Sequence, residues 1–429
     1  MKIKTKSQAL ANPREFLAEL FHVAIAASAP KEGMKAHLPP VPKGRTIVVG
    51  AGKAAGEMAE ALEELWPHPM EGAVVSRHGS KASLKRLNFL TAAHPVPDEE
   101  GLKAADTLLN LVRDLTEDDL VIALVSGGGS ALLPAPAEGL TLADEIELNQ
   151  ILLASGAPIV AMNTIRKQFS RIKGGRLALA ASPARVVTFV VSDIPGDVLS
   201  LVASGPTIPD ETTRQDALAV IVKHKIALPN KLIQFLANDN QAPLASHSTF
   251  AQNEIHLVAS ATKSLAAAAS AAEAIGIPVH ILSDAIEGES SDVAQAQATL
   301  ALSIKNSATP FAPPCLILSG GETTVTIGTD GAGKGGRNGE FALSFATAIA
   351  GTSGIHLLAA DTDGIDGSEN NAGGFVDGHS IDAIKSKGGD PNLLLNSHDS
   401  WTALSLAQSL FVTGHTGTNV NDFRAILIV

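Results

Sequence analysis

The stretch Leu120–Pro134, LVIALVSGGGSALLP, does most to limit the folds open to this chain. Its five leading apolar residues, Leu120 to Leu124, read as a strand buried on both faces, the pattern of a parallel sheet covered by helices. Val125 and Ser126 carry the strand to its end. Gly127, Gly128 and Gly129 then form a bare turn whose amides are free to face an anion, and Ser130 stands where the next element begins. A similar stretch, Cys315 to Thr323, returns late in the chain. The expectation is two buried strands that each end in Ser-Gly-Gly, lining two glycine crevices or two walls of one cleft.

Strands and helices alternate around these points, which indicates an α/β fold with its polar loops gathered at strand C-termini. The strand Thr46 to Val49 runs into the glycine turn GAGKAAG at 50, followed by a helix. The next strand, Gly72 to Ser76, leads to Arg77 and His78 and not to the acidic residue that an NAD fingerprint requires. GAGKAA is no Walker loop either, because the spacing before Lys53 is short and no Ser or Thr follows it. The spacing predicts a helix from Glu99 to Leu111 and one long helix from Met162 to Ala181, presenting Asn163, Arg166, Lys167, Arg171 and Lys173. The strand Val186 to Val191 ends in SDIPGD at 192. Residues 225 to 250 are weakly patterned. Later, Glu322 to Ile327 reads as a hairpin-like strand, Gly328 to Glu340 as a flexible glycine-rich loop, Phe341 to Ile349 as a helix, and DTDGIDG at 361 as an acidic turn.

A chain of 429 residues is long enough for two or three domains with full cores. Its formal net charge of -12 and the lack of a basic tract with interleaved aromatics argue against a nucleic-acid partner. The single cysteine, Cys315, excludes an internal disulfide framework. The N-terminus lacks the apolar core of a signal peptide, and no apolar run reaches the length of a membrane span. The expectation is a soluble cytoplasmic protein without membrane contact.

Lys53, the turn Ser126 to Ser130, Arg166, Ser319 to Gly321, Lys334 and Arg337 offer the amide and cationic donors that transferring phosphoryl oxygens need. Asp193 follows a buried strand. There it can hold magnesium, orient a hydroxyl, accept its proton, or cap the next turn. Asp361, Asp363 and Asp366 alternate with glycines and either bind a divalent cation or order their loop, without the spacing of an EF-hand. Glu322 binds metal or caps a strand turn. His94 and His415 contact substrate or bond locally. GGGSA is not the elbow of a serine hydrolase, and the histidines show no zinc spacing.

Read in order, GAGKAAG at 50, HPVPD at 94, SGGGSALLPAP at 126, NTIRKQFSRIKGGRLA at 163, SDIPGD at 192, SGPTIPD at 204, SGGETTV at 319, GKGGRNGE at 333, DTDGIDG at 361 and TGHTGTNVND at 413 cover nearly the whole chain. The sequence resembles the glycerate 2-kinases that carry a MOFRL domain at the C-terminus. The resemblance implies an N-terminal Rossmann-like parallel-sheet domain over residues 1–245 and a smaller C-terminal α/β domain over 246–429, with the MOFRL region at about 312–422 and a cleft between the two. It implies ATP-dependent phosphorylation of D-glycerate at the 2-hydroxyl, giving 2-phosphoglycerate and ADP, with magnesium. A homodimer is a candidate assembly. In that family the lysine of the first glycine turn and the arginine of the GGRN loop are catalytic; they correspond here to Lys53 and Arg337, and Asp193 joins them by its motif position. The expected substrate and phosphate contacts are Gly50, Gly52, Ser126, Gly127, Gly128, Gly129, Ser130, Arg166, Ser319, Gly320, Gly321, Lys334, Asn338 and His415. The expected metal ligands are Asp193, Glu322, Asp361 and Asp363. Two alternatives stay open: an NAD(P)H-dependent hydroxypyruvate reductase, and a non-enzymatic sensor of a sugar acid or nucleotide.

Overall fold

The computed structural model describes residues 2–237, 245, 247–328 and 333–429. Its contacts divide the chain into two compact α/β units, Pro30–Val258 and a second made of Met1–Ala29 with Ala259–Val429. They are called here the parallel-sheet unit and the mixed-sheet unit. Among the described residues no helix is long and apolar enough to cross a membrane.

The parallel-sheet unit is built on β1 (Thr46–Ala51), β2 (Glu71–Arg77), β3 (Asn88–Ala92), β4 (Leu120–Ser126), β5 (Arg185–Ser192) and β6 (Glu254–Ser260), in the order β3-β2-β1-β4-β5-β6. β1 to β5 pair in parallel, with Gly50 opposite Leu124 and Ser126 opposite Val191. This is the doubly wound order in which the crossovers reverse direction between β1 and β4, so the loops after those two strands part and leave a crevice. Burial follows the sequence pattern: every residue of β1 and β4 is buried. The helix Glu99–Leu111 forms as expected, and Asp98 caps it by accepting from the Gly101 amide at 2.9 Å. The long helix expected over 162–181 is instead two, Ile159–Gln168 and Arg176–Ala180. Gly174 and Gly175, both at positive φ, turn the chain between them. Between 225 and 250 a helix runs over Asn230–Ala237; residues 238–244 and 246 lie outside those described.

The mixed-sheet unit holds β7 (Val279–Ile281), β8 (Ile286–Glu289), β9 (Cys315–Thr324), β10 (Ile355–Asp361), β11 (Gly373–Asp377), β12 (Leu410–Phe411) and β13 (Asp422–Ile428). The order is β12-β11-β10-β13-β9-β7, with β8 also on β9. β9 shows the period-2 alternation of a sheet buried on both sides. Leu316 and Leu318 enter one core cluster, and Cys315 and Ile317 the other.

The first 29 residues, read from the sequence as part of the N-terminal domain, pack in this second unit. The helix Pro13–Ala27 buries Phe16, Leu17, Leu20, Phe21 and Ala24 against the helix Ala261–Glu273 and the sheet. Phe21 meets Phe411 and Phe423 edge-on, with ring centroids 5.1 and 5.7 Å apart. Each large side chain buried there contributes about 1.5–3 kcal/mol. That sum far exceeds any preference an amphipathic helix has for its neighbour in sequence.

Candidate active site

In the parallel-sheet unit the site forms at the carboxyl ends of β1, β4 and β5. Gly50 and Gly52 serve packing there. A Cβ on Gly50 would press into β4 and Val74, and one on Gly52 would overlap Ser126. The amides of the turn are already spent. Gly52 donates to Val75 O (3.1 Å), Lys53 to Gly127 O (2.8 Å), Ala54 to Ser126 Oγ (3.1 Å) and Ala55 to Gly52 O (3.1 Å). In a dinucleotide fold those amides would face a pyrophosphate. Here they tie the turn to β2, to the end of β4 and to itself, and what the turn presents is the Lys53 side chain.

The second glycine turn gathers the chemistry. A Cβ on Gly127 would overlap the Asp193 carboxylate, and one on Gly128 would stand 3.2 Å from both Lys53 Cγ and His94 Nε2. Bare backbone at 127 and 128 therefore lets Asp193, Lys53 and His94 converge from the ends of three different strands. The third glycine, Gly129, admits the segment 203–205 behind it, where a Cβ would reach 2.7 Å from that of Ala203. Ser130 Oγ lies 2.9 Å from Ser204 Oγ, which donates to Asn163 Oδ1 at 2.9 Å. One turn beyond Asn163 on the same helix, half-buried Arg166 is fixed by Nε donating to Asn149 Oδ1 at 2.7 Å. Burial lowers the Arg166 pKa, and nearby Glu145 opposes that shift.

Other basic residues of the 163–176 segment are structural. Lys173 pairs with Glu145, and Lys167 lies 3.6 Å from Asp210, all four side chains being buried. Arg171 ties to Asp106 and to Pro136 O at 2.9 Å each.

The mixed-sheet unit carries a second constellation, set by strand register. Asp361 pairs with Asp422, and Asp422 with Gly321, so the end of the sheet brings Asp361, Asp422 and Glu322 side by side. Arg337 lies over them. It starts the helix Arg337–Ala348, one turn earlier than the periodicity predicts, because Asp366 caps that turn by accepting from the Asn338 amide at 2.9 Å and the Gly339 amide at 2.7 Å. Arg337 donates Nε to Asp422 Oδ1 (2.8 Å), Nη1 to Glu322 Oε1 (3.0 Å) and Nη2 to Asp361 Oδ2 (2.8 Å). Arg424 pairs with the other Asp422 oxygen. A cavity of about 400 Å³ opens here, with Arg337, Asp361, Glu340, His398 and Thr323 on its walls.

Charge sets the protonation of this group. Burial opposes the charge on Arg337, but Asp422, Asp361 and Glu322 outweigh it and hold the guanidinium above its ordinary pKa. Burial, then Asp363, pushes the Asp361 carboxyl well above the carboxylate range, with Arg337 pulling the other way. Burial also lifts Asp366 to about 6 against the two amides it accepts from. The carboxyl groups of Glu322, Asp361, Asp363, Asp366 and Asp422 outnumber the guanidinium groups of Arg337 and Arg424. A divalent cation suits a lining so rich in carboxyl oxygens.

Several expected contacts lie elsewhere. Ser319, Gly320 and Gly321 do not end their strand; they are buried inside β9, and Ser319 Oγ bonds to Gln297. Gly321, at φ 123, is glycine because the backbone of Ile286 in β8 occupies the Cβ position. Asn338 is fully buried and holds Asp422 through Nδ2 at 2.8 Å. Lys334 stands 5.0 Å above the Trp401 ring and 4.0 Å from Glu369, off the cavity wall. His415 is exposed on a loop that Thr416 ties to Asp363 O at 3.2 Å. Within the loop Gly328 to Glu340, residues 329–332 lie outside those described. Of the expected metal ligands, Asp193 belongs to the parallel-sheet unit, and Glu322, Asp361 and Asp363 to the mixed-sheet unit, where Arg337 bridges Glu322 and Asp361. Among the described residues, the group of three ligand atoms within 4.8 Å of one another is His78, Asp98 and Glu100. Both Asp98 oxygens already accept backbone amides there.

Sequence reasoning missed Ser204, Asp422 and Arg424 as parts of these sites. The signal for the last two was in plain view: Asp422 and Arg424 alternate with Phe423 in a strand that is otherwise apolar, which puts two charges on one buried face.

Comparison with known proteins gives a consistent result. Residues 16–237 match the model described as a domain of unknown function (DUF4147), and residues 315–422 match the MOFRL family. A protein of Agrobacterium vitis that carries a provisional hydroxypyruvate reductase name is 48% identical over 416 residues, covering 97% of this chain and 94% of its own. The D-glycerate 2-kinase of Thermotoga maritima is 38% identical over 413 residues, covering 96% and 97%. A crystal structure of glycerate kinase from Thermotoga maritima superposes with a TM-score of 0.86, covering 98% of this chain and 100% of that one at 38% identity. With its two α/β units and both family models matched in order, this chain belongs to the glycerate kinase family that carries a MOFRL domain.

Proposed function

We propose that the protein transfers the γ-phosphoryl group of ATP to the 2-hydroxyl of D-glycerate, giving 2-phosphoglycerate and ADP. The observation that carries this reading is the convergence of Lys53, Asp193 and His94 on the bare backbone of Gly127 and Gly128, at the crevice between β1 and β4. A phosphoryl transfer needs positioned charge more than it needs covalent chemistry from the protein. The 2-hydroxyl oxygen forms the new bond to phosphorus as the bond to the β–γ bridging oxygen breaks. Asp193 receives the hydroxyl proton, and Lys53 offsets charge on the moving phosphoryl oxygens. Arg337, fixed by three carboxylates, keeps its guanidinium rigid and cationic at any working pH. Asp361, Asp363 and Glu322, at the acid-rich end of the mixed sheet, would hold magnesium, which would neutralise phosphate charge.

The name of the Agrobacterium vitis relative favours a second reading, reduction of hydroxypyruvate by a nicotinamide cofactor. The turn at 50–56 weighs against it. Its amides are bonded to β2, to the β4 turn and within itself, and β2 ends in Arg77 and His78 where the carboxylate for a ribose would stand.

The deciding assay supplies D-glycerate, ATP and magnesium and identifies the phosphoglycerate isomer formed, beside a parallel assay of NADH loss with hydroxypyruvate. The 2-isomer is expected, with kcat/KM falling at least about 100-fold in Lys53→Ala, the loss typical of a single preorganised electrostatic donor. Formation of the 3-isomer, hydroxypyruvate-dependent NADH loss without phosphorylation, or near-normal Lys53→Ala would each defeat the reading.

A further inference from the structure

The hydroxyl of Ser130 stands in the turn that gathers the site, and its proton can be traced. Asn163 Oδ1 can only accept, so the single Ser204 hydroxyl proton goes to it over 2.9 Å. Ser204 Oγ then has no proton left for Ser130, 2.9 Å away on its other side. The contact is satisfied when Ser130 donates its proton to Ser204, which leaves the Ser130 oxygen as an acceptor. Ser204 is held for this purpose at some cost: Ala203, Ser204 and Gly205 are consecutive residues at φ 51, 59 and 58, and only the last is a glycine. Asn163 and Ser204 are themselves buried, so water does not compete for the two bonds.

An oxygen that only accepts cannot stabilise a phosphate or carboxylate oxygen, neither of which carries a proton at neutral pH. It suits a hydroxyl donor. D-Glycerate has two hydroxyls. The 2-hydroxyl must release its proton as it reacts, and a carboxylate takes that proton better than a serine oxygen does. We propose that Ser130 is a specificity-determining residue that accepts a hydrogen bond from the 3-hydroxyl of the acceptor, with Ser204 and Asn163 as the positioning residues that fix its proton. This replaces the phosphate-donor role expected for Ser130 from the sequence, and it rests on the kinase reading above.

The test compares D-glycerate with D-lactate, which lacks the 3-hydroxyl, using kcat/KM for the first and the competitive inhibition constant for the second. Ser130→Ala is expected to lower kcat/KM for D-glycerate about fivefold to tenfold, the loss of one neutral hydrogen bond. The D-lactate constant should stay within about twofold, because that ligand never made the bond. Asn163→Asp keeps acceptor-only oxygens beside Ser204 and should preserve the ratio of the two constants, even where the added charge weakens both. Ser204→Ala frees the Ser130 proton and should give a ratio between those of wild type and Ser130→Ala. Equal loss for both ligands in Ser130→Ala, no loss for either, or a collapsed ratio in Asn163→Asp would overturn the inference while the kinase reading stands. A wild-type protein that does not phosphorylate D-glycerate would defeat both.

Discussion

Replacing Arg337 by alanine removes the one guanidinium that bonds Asp422, Asp361 and Glu322 together, over 2.8, 2.8 and 3.0 Å. Asp422 keeps Arg424 and Asn338, whereas among the described residues buried Asp361 keeps the Asp363 amide as its side-chain partner. Stranding a buried charge in this way costs about 3–5 kcal/mol. At about 2–4 °C per kcal/mol for a unit of this size, the melting temperature should fall by about 6–20 °C near pH 8. The dependence on pH has a definite sign. Asp361 in the folded protein already holds its proton to a higher pH than an unfolded aspartate does. The native state therefore binds more protons in that window, and stability falls as pH rises through it. Arg337 pulls that carboxyl downward, so its loss extends the window upward. The deficit of Arg337→Ala should shrink as pH drops from about 8 to about 5. Arg337→Lys, with the charge but not the three-way fork, should recover only part of it. Thermal unfolding followed by circular dichroism across that range decides the matter. A deficit below about 1 kcal/mol, the value of an exposed ion pair, or one that grows on acidification, would refute the account of Arg337 as the counter-charge of a buried acid cluster.

Two further expectations separate site from scaffold. Gly127→Ala puts a methyl group where the Asp193 carboxylate lies; it should cut kcat/KM for D-glycerate by at least about 100-fold while the protein still unfolds cooperatively, and near-normal turnover would show that Asp193 has no fixed place. Lys173→Met leaves Glu145 buried without its ion-pair partner, with the Ala135 amide as its remaining hydrogen bond among the described residues, so unfolding in urea should report a loss of about 3–5 kcal/mol, with kcat of the folded fraction within about twofold of wild type.

Much of the scaffold was legible in the sequence because the signals were local. The apolar run of β4 needed both faces buried, and the spacing over Glu99 to Leu111 marked a helix. Where the reading failed, two structures share one local pattern. Glycines at 127–129 open a turn, whereas Gly320 and Gly321 lie within a strand, held there by pairing with Phe423 and Asp422 of β13 and, at Gly321, by Ile286 of β8. Likewise the stripe Phe16, Leu17, Leu20 and Phe21 announces a buried face without naming the surface that buries it. The acid cluster was half visible. DTDGIDG stands out, but Asp422 joins it only through the register of β10 and β13. SGPTIPD marked a polar turn, but the part Ser204 plays depends on a left-handed backbone that the sequence does not advertise.

The docking of the helix Pro13–Ala27 has a consequence for how the protein comes into being. The chain leaves the mixed-sheet unit at Ala29 and re-enters it at Ala259, so the parallel-sheet unit is an insertion within its neighbour. On the ribosome the helix emerges nearly four hundred residues ahead of its partners Phe411 and Phe423. Through most of synthesis Phe16, Leu20 and Phe21 await a surface that does not yet exist, while residues 30–258 can fold ahead of them. Cutting out the insertion should release a self-sufficient Rossmann-like body; trimming the first thirty residues would open the heart of the other.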